Sequence, residues 1–363
     1  MKRLPFVIAI LILAILLGGC TQQTQVQSAI PKPQPTDVVP PPQPNTNIPT
    51  TVDVPAGHPS KIAFVRDLGG DLGWDIFTVK ADGGDIVDIT NSPSQDLWPS
   101  WSPDGTQIVF QSNREWHKYP SIYIMESNGD NVKCLTPEIV ACQFPEWSPD
   151  GEMIIYSSSK YSNVGTIGLD LFSMSPEGAS KMPIFQSTAS YTGEPLGTIQ
   201  RGVRIYAQIC TSWFSDKAIV YTSNAVGGAW YIYKTTLSNL DTKLCYTCIK
   251  PDCTSRFPPN SLFVQIGTFP VSVVSPDGKS IAFDYRSPTG KENIYLLTFA
   301  TEDVKCLTCE SPGSSYFPTW SPDGSRIAFT LESDGNTDIY VMNSDGSNPT
   351  LLIENGMFPS WQK

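Results

Sequence analysis

One pentapeptide recurs along this chain and limits what it can fold into. Trp-Ser-Pro-Asp-Gly stands at Trp101–Gly105, Trp147–Gly151 and Trp320–Gly324. Val274–Gly278 carries Val in place of the Trp, and Trp213–Lys217 is a worn copy, Trp-Phe-Ser-Asp-Lys. A proline lies two residues before the Trp at Pro99, Pro145 and Pro318, and again at Pro359 ahead of Trp361. A repeat of this length is one supersecondary unit that cannot bury its own faces, so successive units must stack.

Each unit reads as short antiparallel strands. An apolar strand follows the turn at Ile108-Val109-Phe110, Ile154-Ile155-Tyr156, Ile219-Val220-Tyr221, Ile281-Ala282-Phe283 and Ile327-Ala328-Phe329. A polar loop leads to a second strand, as at Ile122-Tyr123-Ile124 and Ile339-Tyr340-Val341, and then to a turn and a short last strand. Proline presets φ for the Pro-Asp-Gly turn, and glycine takes a φ > 0 position that a Cβ would oppose. Four strands with period-2 burial, stacked radially, make the blade of a β-propeller. Ile62-Ala63-Phe64 begins a unit that lacks its first strand, and Met357–Trp361 supplies that strand from the other terminus. The expected fold is therefore all-β, a six-bladed β-propeller closed by pairing the C-terminal strand with the N-terminal blade, which removes exposed sheet edges.

The pattern Phe-Pro-x-Trp-Ser-Pro-Asp-Gly-x-x-Ile-Ala-Phe, followed by Asp-Ile-Tyr-Val-Met-Asn-x-Asp-Gly, resembles the TolB-type six-bladed propeller family. The resemblance runs from Lys61 to the C-terminus, roughly five-sixths of the chain. Its motifs are specific for fold and weak for function. The chain departs from TolB in having no N-terminal α/β domain, so the partners of that domain do not carry over.

A different composition precedes the repeats. Met1-Lys2-Arg3 is followed by an almost wholly apolar Leu4–Leu17 and by Gly18-Gly19-Cys20. A basic start, a short apolar run and small residues are the features of a signal peptide. The cysteine after them resembles the bacterial lipobox, in which Cys20 is lipidated and becomes the mature N-terminus. An apolar run of about 14 residues is short for a membrane span of ~20. Residues 1–19 are thus read as a lipoprotein signal peptide, 20–59 as a lipidated cysteine and Pro-rich tether, and 60–363 as the propeller. Losing Lys2 and Arg3 leaves the mature chain at a net charge of −13. No basic stripe remains for a nucleic-acid partner.

Eight cysteines remain beyond Cys20. An even number outside the cytoplasm suggests disulfides. Local spacing suggests Cys306 with Cys309, Cys134 with Cys142, and Cys245 with Cys248 or Cys253, leaving Cys210 for the remaining partner. Cys245-x-x-Cys248 and Cys306-x-x-Cys309 also have the spacing of a four-thiolate zinc site, which stands as the alternative. Two longer connections, 187–208 and 249–268, would enlarge one rim of the propeller. They carry Tyr191, Arg201, Arg204, Tyr206, Arg256, Phe257 and Phe263, the aromatic and arginine mixture of binding surfaces. Asp334, Asn336 and Asp338 alternate like the front of a calcium loop, though the rest of an EF-hand is missing. Asp338 also has repeat equivalents at Asp75, Asp170 and Asn293, which suits a structural role before a strand.

No nucleophile elbow, His-Glu-x-x-His motif or P-loop occurs. His117 is the single histidine of the repeat region and has no evident partners. The expectation is a non-enzymatic, cofactor-free, monomeric propeller, anchored extracytoplasmically through Cys20 and binding an envelope protein or glycan. A carbohydrate-active or metal-dependent enzyme with its site in the channel is the alternative.

Overall fold

The computed structural model describes residues 60–70, 73–114, 119–137, 140–161, 167–185, 208–215, 218–226, 229–236, 271–287, 290–301 and 303–363. All regular structure among them is β. The first sheet contains β1 (Lys61–Asp67), β2 (Trp74–Lys80) and β3 (Val87–Asp88). The second is β4 (Asp96–Trp101), β5 (Gln107–Ser112), β6 (Ser121–Glu126) and β7 (Lys133–Cys134). The third is β8 (Cys142–Trp147), β9 (Ile154–Tyr161), β10 (Ile167–Met174) and β11 (Met182–Phe185). The fourth is β12 (Gln208–Ser215), β13 (Ala218–Val226) and β14 (Ala229–Thr236). The fifth is β15 (Ser272–Val274), β16 (Ser280–Arg286), β17 (Glu292–Thr298) and β18 (Asp303–Cys306). The sixth is β19 (Ser314–Trp320), β20 (Arg326–Ser333), β21 (Asn336–Asn343) and β22 (Thr350–Ile353). The last strand, β23 (Met357–Trp361), returns to the first sheet and lies beside β1, with Ile62 opposite Trp361 and Ala63 opposite Ser360.

Neighbouring strands are antiparallel throughout these sheets, and the fold is an all-β propeller. Five sheets are complete four-stranded blades, where the repeat count predicts six. The fourth sheet has three strands among the described residues. Residues 237–250, where its last strand was expected, lie outside them.

The second strand of a blade is buried more completely than simple alternation predicts. Ile62, Ala63, Phe64 and Val65 all have zero exposure. The reason is that the two faces of β1 meet different neighbours. Ala63 and Val65 join a cluster with Ile108 and Phe110 of the second sheet. Ile62 and Phe64 join one with Ala328, Ile339 and Val341 of the sixth. Period 2 is preserved, but both faces are core, and the strand reads as a continuous apolar run.

Glycine turns fix how closely successive blades approach. Gly129, at φ 94°, sits so near the first sheet that an added Cβ would lie 2.1 Å from the Ile89 carbonyl oxygen. Gly346 presses on Leu307 of the fifth sheet in the same way, with 3.1 Å between an added Cβ and that side chain. Lysines also bridge neighbouring blades: Lys305 Nζ donates to the Asp345 carbonyl beside the Gly346 contact, and Lys133 Nζ donates to the Glu177 carbonyl between the second and third blades.

Candidate functional site

The inner strands carry the residues that line the channel. In β4, β8, β19 and β23 an aromatic residue precedes the proline of each Pro-x-Trp: Trp98, Phe144, Phe317 and Phe358. All four adopt left-handed backbone, with φ between 53° and 57°. The ladder register shifts at the same place in each strand. A bulky side chain rarely takes positive φ, so these bulges are held by their surroundings. Phe358 N donates to Thr330 Oγ1 at 3.2 Å, and Phe317 N donates to Asp284 Oδ2 at 3.0 Å.

The bulges turn the four rings towards one another. Trp98 lies 4.3 Å from Phe358, 4.9 Å from Phe144 and 5.2 Å from Phe317 between ring centroids, and Phe317 lies 4.5 Å from Phe358. Edge-to-face geometry at Phe144 and Phe317 suits the ring quadrupoles. Four blades thereby contribute one aromatic floor.

The floor borders a cavity of about 450 Å³ whose wall continues into the Ser-Pro-Asp-Gly turns. Those turns satisfy themselves. Ser102 Oγ donates to Asp104 Oδ1 at 2.6 Å and accepts from Gln107 N at 2.9 Å. Ser148, Ser275 and Ser321 repeat the arrangement with Asp150, Asp277 and Asp323. The serine hydroxyl, and then the Thr106 N–H, hold the Asp104 carboxyl below its ordinary pKa. Ser275 and the Lys279 N–H do the same for Asp277. The loudest motif in the sequence is therefore turn architecture, and its aspartates are committed to it.

The variable residue of Pro-x-Trp is more informative. Ser100, Ser212 and Thr319 each accept a hydrogen bond from a backbone N–H of the next inner strand, at Trp147, Val274 and Trp361. The third blade places Glu146 at this position. Glu146 is part of the cavity lining, and its carboxylate stands 3.5 Å from Lys363 Nζ, the one basic group among the described lining residues. Trp101 Nε1 and Trp320 Nε1 donate to the Ser360 and Val273 carbonyls, so the motif tryptophans tie adjacent inner strands together.

Several expected site residues fall elsewhere. Cys20, Tyr191, Arg201, Arg204, Tyr206, Arg256, Phe257, Phe263, Cys245, Cys248, Cys253 and His117 lie outside the described residues, as does the side chain of Cys210. Cys306 and Cys309 are joined by a disulfide. The expected partners Cys134 and Cys142 pack against different apolar clusters. Cys142 is buried in the apolar cluster between β5, β6 and β9, its Sγ 3.6 Å from Ser158 Oγ. Cys134 packs instead against the cluster shared by the first two blades. Asp334 occupies a hairpin turn at φ 54°, and Asp338 Oδ1 accepts from Asn355 N at 2.9 Å. Its repeat equivalent Asp75 accepts from Ser92 N and Thr90 Oγ1, so this position ties a strand to its following loop. Among the described residues, no three His, Cys, Asp or Glu side chains are placed to share a metal ion.

Sequence reasoning missed the four floor aromatics, Glu146 and Lys363. The aromatic before each Pro-x-Trp and the Ser-Glu-Thr-Ser series within it were the available signals.

Comparison with known proteins places this architecture. The family description "TolB beta propeller domain" matches residues 45–186 and 269–362, about two thirds of the chain. The unmatched stretch between them holds the three-stranded sheet and both long connections. A "Protein TolB homolog" of Chlorobaculum tepidum is 34% identical over 84 residues, 23% of this chain and 18% of that protein. A "Tol-Pal system protein TolB" of Anaeromyxobacter dehalogenans is 33% identical over 90 residues, 24% of this chain and 20% of that protein. The chain thus spans about a fifth of the length of these curated relatives. The crystal structure of TolB from Acinetobacter baumannii has a TM-score of 0.60 at 20% identity, covering 84% of this chain and 66% of its own. Hydrazine synthase of Kuenenia stuttgartiensis reaches 0.59 at 12% identity, covering 84% of this chain and 47% of its own. At such identities the likeness is one of fold. The family match, with the repeats and blades that underlie it, shows that the chain belongs to the TolB β-propeller domain family.

Proposed function

We propose that this chain is a non-enzymatic binding module of the cell envelope, a six-bladed closed propeller (residues 60–363) held outside the cytoplasmic membrane by lipid on Cys20. Residues 1–19 serve as the signal peptide and 20–59 as the tether. Its partner is an envelope protein or a glycan. The observation that carries this reading is the aromatic-floored cavity of about 450 Å³ framed by proline-rich turns. Apolar walls with few polar groups are the usual makeup of a recognition site. Among the described residues that line it, Glu146 is the single side-chain carboxylate, whereas glycosidase chemistry uses a pair of acids. The pairing of β23 with β1 supports closure, and the naming of relatives as Tol-Pal system proteins supports a protein-binding role in the envelope.

The test is capture from envelope extracts on immobilised protein, read by mass spectrometry and glycan analysis. Pro322 is an exposed rim residue of the cavity. Pro322→Arg should place a long charged side chain at the opening while leaving the melting temperature nearly unchanged. The reading expects a saturable partner whose capture is lost in that variant. Capture that is indifferent to Pro322→Arg would put the binding surface elsewhere.

A further inference from the structure

We infer that the cavity mouth is a recognition site for a cationic side chain, with Glu146 as its anion and Lys363 as an internal occupant that an incoming ammonium or guanidinium displaces. The inference rests on the reading of the cavity as the binding site and specifies the ligand's chemistry there.

Three observations converge on Glu146. The first is its departure from the repeat. Of the equivalent positions, Ser100, Ser212 and Thr319 use a hydroxyl to cap a backbone N–H of the neighbouring inner strand, while Val273 and Ser360 are also uncharged. A carboxylate has no such need to meet and costs more to desolvate than a hydroxyl. The second is its setting. Among the described lining residues it stands as the one acidic side chain, beside Trp, Phe, Pro, Val and hydroxyl side chains and Lys363. A carboxylate beside ring faces suits a cation with an apolar stem, since both the charge and the π-systems attract it. The third is the group already present. Lys363 follows β23, the strand paired with β1, yet its Nζ reaches Glu146 in β8, two inner strands away.

The strength of that contact explains how it can yield. The ion pair is 3.5 Å long, and the two side chains remain 42% and 28% exposed. Such pairs contribute little to stability, because water and salt screen them. Replacing one ammonium with another conserves the charge at Glu146, so a ligand cation need only match Lys363 and add contact with the aromatic floor. The net charge of −13 on the mature chain also favours approach of a cation over an anion.

The experiment uses the full-length chain in detergent and three probes of equal shape: 4-phenylbutylammonium, 4-phenylbutanol and 5-phenylvalerate. Binding is read by the fluorescence of the cavity tryptophans and by calorimetry. Lys363→Met keeps the apolar stem and removes the charge. It leaves Gln362, which bonds Lys61 and Gly105, in place. The variant should bind the ammonium about three- to fivefold more tightly than wild type, the range of an exposed ion pair. Glu146→Gln should lose the preference for ammonium over alcohol in both backgrounds. Equal affinity for ammonium and alcohol in all variants would overturn the cation assignment while leaving the cavity as a binding site. Absence of saturable binding by any probe to Lys363→Met would also overturn it. Envelope capture and its loss in Pro322→Arg would decide the broader reading independently.

Discussion

Asp284 shows how much one side chain can determine between two blades. It stands where the next blade has Thr330, and both accept the N–H of a bulged aromatic, Phe317 and Phe358 respectively. Asp284 takes a second bond from Val271 N at 2.6 Å, which ties the start of β15 to the same carboxyl. Two N–H donors favour the ionised form, but burial outweighs them. Its pKa is pushed up to about 8 by desolvation, with the nearby Glu292 carboxylate adding to the rise. The sign of the pH effect follows. An unfolded aspartate releases its proton near ~4, whereas the folded protein retains it until about 8. Stability associated with Asp284 is therefore complete at low pH and is lost as pH rises through that interval. Asp75, raised to about 6 chiefly by burial, acts in the same direction at the acidic end. We predict that the melting temperature falls between pH 5 and pH 9, and that Asp284→Asn flattens the upper part of that slope. An identical slope in the variant would assign the pH dependence to other groups.

Among the elements, β23 carries the most distributed set of contacts. Its backbone pairs with β1, its Phe358 completes the aromatic floor, and Trp361 Nε1 donates to Ser60 Oγ just ahead of β1. Deleting Met357–Lys363 exposes the β1 edge and strips two buried aromatics. Burial at ~25 cal/mol per Å² makes those rings worth several kcal/mol, a large part of a domain's margin. The truncated protein should be insoluble or melt far below wild type; an unchanged melting curve would show that β23 is dispensable. This strand was legible from sequence because it completes a unit that starts without a first strand. The second strands were legible through Ile-x-Phe, and the hairpins through Pro-Asp-Gly. The aromatic floor was not. Alternation predicts side-chain direction only along a regular strand, and the bulges at Trp98, Phe144, Phe317 and Phe358 re-aim a residue without changing its hydrophobic pattern. Glu146 was hidden for another reason, since its partner lies 217 residues away. Cys134 and Cys142 show how little nearness in sequence says of surroundings, since β7 and β8 place these residues against separate apolar clusters.

For the whole molecule, the proposed reading holds the propeller at a membrane through lipid on Cys20. Residues 21–59 contain ten prolines from Pro31 to Pro59 and no apolar period, a composition that favours extended polyproline II. At ~3.1 Å per residue, a polyproline II segment of that length would span on the order of 100 Å, which suits the proposed role of tether. A net charge of −13 after loss of residues 1–19 would oppose lying flat on an anionic surface, so the proposed reading assigns retention to the anchor. One acyl chain binds a membrane only marginally, whereas a diacylated cysteine supplies the two-chain anchoring that is stable. Cys20→Ser removes the atom that would carry the lipid and leaves residues 60–363 untouched. The variant should incorporate no labelled fatty acid and should keep the melting curve of the wild-type propeller. If its signal segment is still cleaved, it should also move from the membrane to the soluble fraction. Fatty-acid labelling equal to wild type would place the lipid on another residue, and an altered melting curve would mean that the tether contributes to the fold.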